Sequence, residues 1–411
     1  MNVKTITLAL AALLPCGSFS ARAAAQQPGA FSDNGLPAGA HQLKIGDAAP
    51  DFSLLGVDGK TYTLADFKGS PLLMVVFLSN HCPVSHAAET RLLPFVAAMK
   101  GRGLAVVAIN PNNQAALREE ELGYSKYTDS YADMKIYAKE EGFSFPYLYD
   151  GDLQVAAKAY GCVCTPHVFI FNGDRKLCYA GRFDNSHLPD PASVTVSDAP
   201  NAVRALLAGQ PVPVALTRPM GCSTKWIAEI PEVAASNERW DKIPVSLDPI
   251  DVAGVAALAR NDTKRWRLIN VWATWCEPCV KEFPGLVTLS RRFETRAFEM
   301  ITVSLDDPKE QATVQRFLER QHAILPTPEK AAVAAEGRRT NTYFFTGAST
   351  DAFGQALDSA WPGPLPYTIL VAPGGKIVYR HSGELNIDEL RALLVDRLGA
   401  YYDATRIRAA R

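Results

Sequence analysis

One layout of strands, helices, cysteine and proline occurs twice in this chain, and it restricts the fold more than any other feature. In the first half an apolar run of strand length, 72–78 (LLMVVFL), leads to Cys82. A stretch of helical spacing then runs to about residue 102, carrying Leu92, Leu93, Val96 and Met99, and a second apolar strand follows at 104–109. Farther on stand Thr165-Pro166, strand 168–171, a turn at Asn172-Gly173-Asp174, strand 176–180 and a helix at 201–207. The second half repeats the order: strand 268–272, Cys276, a helix to about Phe293, strand 298–303, then Leu365-Pro366, strand 368–371, the turn Pro373-Gly374-Gly375 and strand 376–379. Asn386, with Glu389 three residues on, is a capped start for a closing helix. Cysteine and proline are 84 residues apart in the first half (82 to 166) and 90 in the second (276 to 366). Continuous apolar strands imply a sheet covered on both faces. Strand–helix–strand followed by a hairpin and a helix predicts an α/β fold with a mixed sheet, used twice.

The 411 residues suffice for two or three domains, and 47% hydrophobic with 21% charged residues excludes disordered and collagen-like chains. Lys plus Arg is 42 and Asp plus Glu 43, a formal charge of −1 that gives no footing to nucleic acid or an anionic membrane. Residues 1–25 read as a secretory signal peptide: Lys4, a short apolar stretch at 5–14, and Ala23-Ala24-Ala25 as the cleavage site. Ten apolar residues fall well short of the roughly 20 that span a bilayer. Pro15 before Cys16 stands where lipid attachment wants a small residue, so soluble export to the periplasm or cell envelope is expected, without membrane contact after cleavage. Cleavage removes Lys4, Arg22 and Cys16, taking the charge from −1 to −3 and leaving seven cysteines. An oxidising compartment opens disulfide chemistry to them. An odd number leaves at least one without an intramolecular disulfide.

The strongest chemical motif is Trp272-Ala-Thr-Trp-Cys276-Glu-Pro-Cys279. Placed between a buried strand and a helix, Cys276 meets the unpaired N–H groups and positive end of the helix dipole, which favour a thiolate. In such motifs the thiol pKa falls from about 8.5 toward about 3.5–7.5, making the first cysteine the nucleophile. Cys279, one turn on, can displace a mixed disulfide. Pro278 in the first turn forfeits only an N–H that would lack a partner anyway. A static disulfide is one alternative. Structural zinc is another, although it wants about four ligands and this half adds only the isolated His322 and His381.

The segment from Asn270 to Pro284 resembles the active site of the TlpA/ResA-like branch of the thioredoxin superfamily, exported thiol–disulfide oxidoreductases. Pro366 in Pro364-Leu365-Pro366-Tyr367-Thr368 matches that family's cis-proline, which shapes the substrate groove. The resemblance covers about residues 248–402, with an insertion near 321–360. It implies reductive or isomerising work on disulfides of protein substrates, fed by an upstream dithiol donor and needing no cofactor. The carboxylate of Glu277 opposes a thiolate at Cys276, which would destabilise the reduced form and lower the potential, toward about −270 mV rather than about −120 mV.

In the first half, Asn80-His81-Cys82-Pro83-Val84-Ser85 puts Cys82 at the Cys276 position and Ser85 at the Cys279 position. With Gly46-Asp47-Ala48-Ala49-Pro50-Asp51-Phe52 ahead of it, this half resembles the redoxin (AhpC-TSA-like) families over about residues 43–208. Ser79 fits the peroxidase pattern, but Val75 stands where that pattern has proline. Cys164, two residues before Pro166, is the preferred partner for Cys82, with Cys222 a second candidate resolving thiol. Cys162 and Cys164 are alternatively inert buried thiols, and Cys178 reads as a core thiol. Three further functions stay open for this half. One is a thiol peroxidase at Cys82, reduced by the second domain. Another is a copper or zinc carrier using His81, Cys82, His86, Cys164 and His167. The third is a binding module that presents partners to the second domain.

The expected organisation is therefore two tandem thioredoxin folds, each a mixed central sheet flanked by helices. Residues 1–25 are the signal peptide, 41–208 the redoxin-like domain, 209–247 an irregular Pro-containing connector and 248–403 the dithiol domain. Arg406, Arg408 and Arg411 read as a solvated tail.

Overall fold

The central strands explain the rest of the architecture. In a computed structural model that describes residues 36–402, the run LLMVVF becomes a strand with every residue buried. The first half comprises β1 (Ser53–Gly56), β2 (Thr61–Thr63), β3 (Leu72–Phe77), α1 (Pro83–Met99), β4 (Leu104–Asn110), α2 (Tyr131–Glu140) and β5 (Tyr147–Tyr149). It continues with α3 (Val155–Tyr160), β6 (Cys164–Thr165), β7 (His167–Phe171), β8 (Leu177–Gly181) and α4 (Asp198–Leu207). The main sheet runs β2-β1-β5-β4-β3-β7-β8, parallel across β3, β4 and β5 and antiparallel on either side. Alternate residues of β3 feed two cores. Leu73, Val75 and Phe77 pack with Phe52, Tyr160, Phe169 and Phe171, whereas Leu72, Met74 and Val76 pack with Leu92, Met134, Tyr147 and Val203. Each such side chain contributes about 1.5–3 kcal/mol by leaving water.

The connecting region is irregular only in part. It forms β9 (Cys222–Ser223) and α5 (Ile230–Asp241), with Pro231 in the first turn of the helix. The composition that reads as a breaker is here a helix start, because proline is tolerated where the N–H has no partner.

The second half follows with β10 (Asp248–Ile250), α6 (Val252–Arg260), β11 (Trp266–Trp272), α7 (Glu277–Arg292), β12 (Phe298–Ser304), α8 (Gln311–Arg320) and α9 (Lys330–Ala335). It ends with β13 (Thr342–Phe345), α10 (Thr350–Leu357), β14 (Tyr367–Val371), β15 (Ile377–Ser382) and α11 (Ile387–Leu398). The sheet order is β10-β13-β12-β11-β14-β15; from β13 to β15 it repeats the first sheet from β5 to β8, strand for strand, and β10 adds a parallel strand at the edge. Even the hairpin irregularity recurs, between Ile170 and Phe171 and between Leu370 and Val371.

The two sheets belong to one compact unit. Its contact between halves centres on the turn at Glu119–Leu122 and on α7. Arg292 pairs with Glu119 at 2.5 Å, and the Arg296 guanidinium lies 4.0 Å from the Tyr124 ring centre. Gly123 has no room for a side chain, since a Cβ there would sit 2.5 Å from the Arg292 carbonyl oxygen. Cys178 departs from its expected place: it is half-buried on β8, between the buried Leu177 and Tyr179, and does not belong to the core. The expected signal peptide and the arginine tail lie outside the described residues. No helix among the described residues is long and apolar enough to cross a membrane.

Candidate active sites

Cys276 occupies the N-cap of α7, carried there by β11 one loop earlier. It is disulfide-bonded to Cys279, with Cα atoms 5.3 Å apart. The loop before it is fixed from below. Thr274 donates its N–H to Asp306 at 2.9 Å and its hydroxyl at 2.5 Å, and Ser304 holds the same carboxylate at 2.7 Å. Trp272 wedges against Phe283 and Phe317, at 4.7 and 4.8 Å between ring centres. The Leu365–Pro366 bond is cis. Glu277 and Pro278 fill the first turn, and Glu277 is exposed. Trp275, by contrast with its buried neighbour, is 70% exposed. It borders a cleft of about 550 Å³ that Leu305, Trp361 and Leu365 also line. The lining is mixed, because Asp351, Gln355, Asp358 and Ser359 border the same cleft.

Behind the dithiol stands a residue the sequence reading missed. Glu282 on α7 is buried, accepting from Asn270 Nδ2 at 2.9 Å and from the Leu385 N–H at 2.8 Å. Burial pushes its carboxyl up to about 7 against those two donors. The signal was Asn270, a polar residue inside the otherwise apolar run 268–272. His322 and His381 lie apart from the dithiol, His322 beside Asp241 at 3.7 Å and His381 bonded to the Glu384 carbonyl at 3.0 Å.

The first half builds the same junction with different chemistry. Cys82 caps α1, its Sγ accepting from the Ser85 N–H at 3.4 Å and lying 3.1 Å from the Thr165 carbonyl oxygen, to which the thiol donates. The Thr165–Pro166 bond is cis. Next to the cysteine, His81 Nδ1 meets Asp129 at 2.6 Å, both fully buried. Asn112 and Asn110 bond the same carboxylate at 2.8 and 3.2 Å. Burial favours a neutral imidazole, but the Asp129 charge, its hydrogen bond and the Cys82 charge together outweigh it and raise the His81 pKa. Burial likewise raises the Cys82 thiol. A hydrogen bond with Cys222, the His81 charge and the Ser85 and Cys222 N–H groups overcome that and hold it well below the usual thiol range.

The cysteine that reaches Cys82 is therefore Cys222. The preferred sequence expectation, Cys164, points its Sγ at the Pro166 carbonyl oxygen, 3.6 Å away, and Cys82, Cys164 and Cys222 are all free thiols. The reason is strand alternation: β6 turns Cys164 aside while its pairing with β9 sets Cys222 opposite Thr165. Cys162 bonds Thr224 at 3.4 Å, and burial pushes its thiol up to about 12. The candidate metal ligands do not converge. His86 is bonded to the Asn80 carbonyl at 2.7 Å, His167 packs 4.3 Å from the Phe169 ring, and among the described residues no three His, Cys, Asp or Glu side chains form a ligand set.

A chain with two such sheets, each presenting a helix-capping cysteine to a cis-proline, is a double thioredoxin-fold protein. Residues 45–180 match the AhpC/TSA family and residues 256–394 the Redoxin family, so the chain carries AhpC/TSA and redoxin domains in tandem. The thiol-disulfide oxidoreductase ResA of Oceanobacillus iheyensis is 26% identical over 160 residues, covering 39% of this chain and 65% of that protein. Its counterpart from Bacillus subtilis is 29% identical over 110 residues, covering 27% and 49%. The chain thus spans less than two thirds of either relative. A hypothetical protein of known structure from Sinorhizobium meliloti is 38% identical, covering 46% of this chain and 98% of its own, with a TM-score of 0.41.

Proposed function

We propose that this protein is an exported thiol–disulfide oxidoreductase that reduces disulfides of other proteins in the cell envelope. The carrying observation is the Cys276–Cys279 disulfide at the N-terminus of α7, beside the cis-proline loop and the exposed Trp275. An upstream dithiol donor reduces this disulfide. The Cys276 thiolate then attacks one sulfur of a substrate disulfide and expels the other as a thiolate, which takes up a proton. Cys279, deprotonated, attacks Cys276 Sγ and expels the second substrate sulfur, so two electrons pass to the substrate and the 276–279 disulfide closes again. Pro366 borders the groove in which the substrate lies. The carboxylate of Glu277 disfavours the thiolate and so favours the reductive direction; a measured potential above about −150 mV would remove that part of the reading. The test is reduction of insulin driven by dithiothreitol. Cys276→Ser is expected to reduce the protein-catalysed rate to background, and retention of that rate would sink the proposal.

A further inference from the structure

The connector lies across the first-half site. Its β9 pairs antiparallel with β6, Thr165 opposite Cys222 and Cys164 opposite Ser223. This approach depends on Gly221, because a Cβ there would fall 1.9 Å from the Thr165 carbonyl oxygen. That same oxygen receives the Cys82 thiol, so Cys82 and Cys222 meet around one peptide unit.

The segment is held on both sides. Upstream, Thr217 bonds the Ala180 carbonyl at 3.0 Å and the Tyr179 hydroxyl at 2.7 Å. Downstream, the Lys225 N–H bonds Asn112 at 2.9 Å, its ammonium pairs with Glu121 at 2.5 Å, and Gln154 holds its carbonyl at 2.8 Å. Trp226 is buried in the first-half core. Arg218, Pro219, Met220 and Gly221 bridge Thr217 to Cys222, and Ser223 and Thr224 bridge Cys222 to Lys225. The arrangement gives a short strap with a sulfur at its centre, facing the thiol that caps α1. Cys222 lies outside the segment that matches the AhpC/TSA family.

The geometry points to Cys82 and Cys222 as a second redox couple, closed across the strap and separate from Cys276–Cys279. Cys82 is fully buried beneath the strap, so the strap lifts before the oxidant, a disulfide of another molecule, R–S–S–R, reaches it. The Cys82 thiolate attacks one sulfur and expels the other as RS⁻, which takes the proton of Cys222. The Cys222 thiolate then attacks Cys82 Sγ and expels the second RS⁻, which is protonated by water. One disulfide is reduced to two thiols, and one Cys82–Cys222 disulfide forms. Among the described residues the second half has no such strap, and its resolving sulfur comes from the helix, at Cys279. The first half has Ser85 at that position, and the strap supplies the sulfur instead.

The test uses the full chain carrying Cys276→Ser and Cys279→Ser, so that it is independent of the proposed dithiol activity. The protein is equilibrated with reduced and oxidised glutathione, quenched by alkylation and mapped by mass spectrometry. A peptide joining Cys82 to Cys222 should appear as oxidised glutathione rises and vanish with dithiothreitol. Adding Cys222→Ser should stop the reaction with glutathione retained on Cys82. Adding Cys82→Ser should slow modification of Cys222 at least tenfold. Pairing of Cys82 with Cys164, absence of the adduct in the Cys222→Ser protein, or equal reactivity of Cys222 with and without Cys82 would each overturn the inference.

Discussion

Cys82 and Cys276 sit on the same scaffold, and the difference between them shows which parts of a thiol site the fold supplies and which the sequence must add. Both cap the helix that leaves the central strand, and both face a cis-proline. Position is common to the two; partnership is not. Cys276 has a second thiol three residues on, an exposed tryptophan beside it and an open cleft. Cys82 has a serine three residues on, a buried His81–Asp129 pair beside it and a strap over it. The strand-to-helix junction makes a nucleophile, and what surrounds it sets the reaction open to it.

The largest effect that can break this comparison comes from removing each nucleophile in turn. Cys276→Ser should lower insulin reduction by at least about 100-fold, since losing the attacking group forfeits the whole covalent route. Cys82→Ser should leave that rate within a factor of two. Equal losses in both variants would show that the sites form one relay rather than two couples.

Ser85→Cys sharpens the same contrast. Ser85 is buried and its hydroxyl has no hydrogen-bond partner, so sulfur in its place forfeits nothing. The substitution gives the first half the spacing of the second. Disulfide mapping should then find Cys82 joined to residue 85 in most molecules, with Cys222 released as a free thiol. Continued pairing of Cys82 with Cys222 would mean that the strap holds its sulfur more favourably than the helix can.

Much of this contrast was legible in the sequence. The runs 72–78 and 268–272 announce strands buried on both faces, and Cys-Glu-Pro-Cys announces its own chemistry. Cys222 could not be read in that way. Its meeting with Cys82 depends on pairing between β6 and β9, on the clamps from Asn112 and Gln154, and on the absence of a side chain at Gly221. None of these leaves a local pattern. The helix α5 escaped for another reason: Trp240 is its sole buried residue, so there is no apolar stripe to detect.

Each helix also carries a buried acid, and the two should respond alike to pH. Glu89 on α1, bonded to the Tyr137 hydroxyl, is pushed by burial to about 8, and Glu282 on α7 to about 7. Their folded pKa values exceed the ordinary 4.5, so the folded chain binds more protons than the unfolded one above that pH. Stability therefore falls as pH rises from about 4.5 to about 8 for Glu89 and to about 7 for Glu282, by up to a few kcal/mol each. Glu89→Gln and Glu282→Gln should each flatten their part of this decline. Urea midpoints at pH 5 and pH 9 give the comparison, and an unchanged difference between the two pH values would contradict the assignment.

The smallest expected effect tests whether the dithiol domain touches the first-half site. Tyr402, just past α11, sets its hydroxyl 3.8 Å from Cys222 Sγ and stacks edge-on with Tyr124 at 5.1 Å. Its hydroxyl favours the thiolate of Cys222 against the stronger upward pull of the neighbouring Cys82 and of burial. Tyr402→Phe removes that donor and keeps the ring. A hydrogen bond of this kind contributes about 0.5–1.5 kcal/mol, so Cys222 should resolve a glutathione adduct on Cys82 several-fold more slowly, and by less than about tenfold. Insulin reduction at Cys276 should be unchanged, because Tyr402 touches the other site. A slower Cys276 reaction with unaltered resolution at Cys82 would place the contact on the wrong side of the comparison.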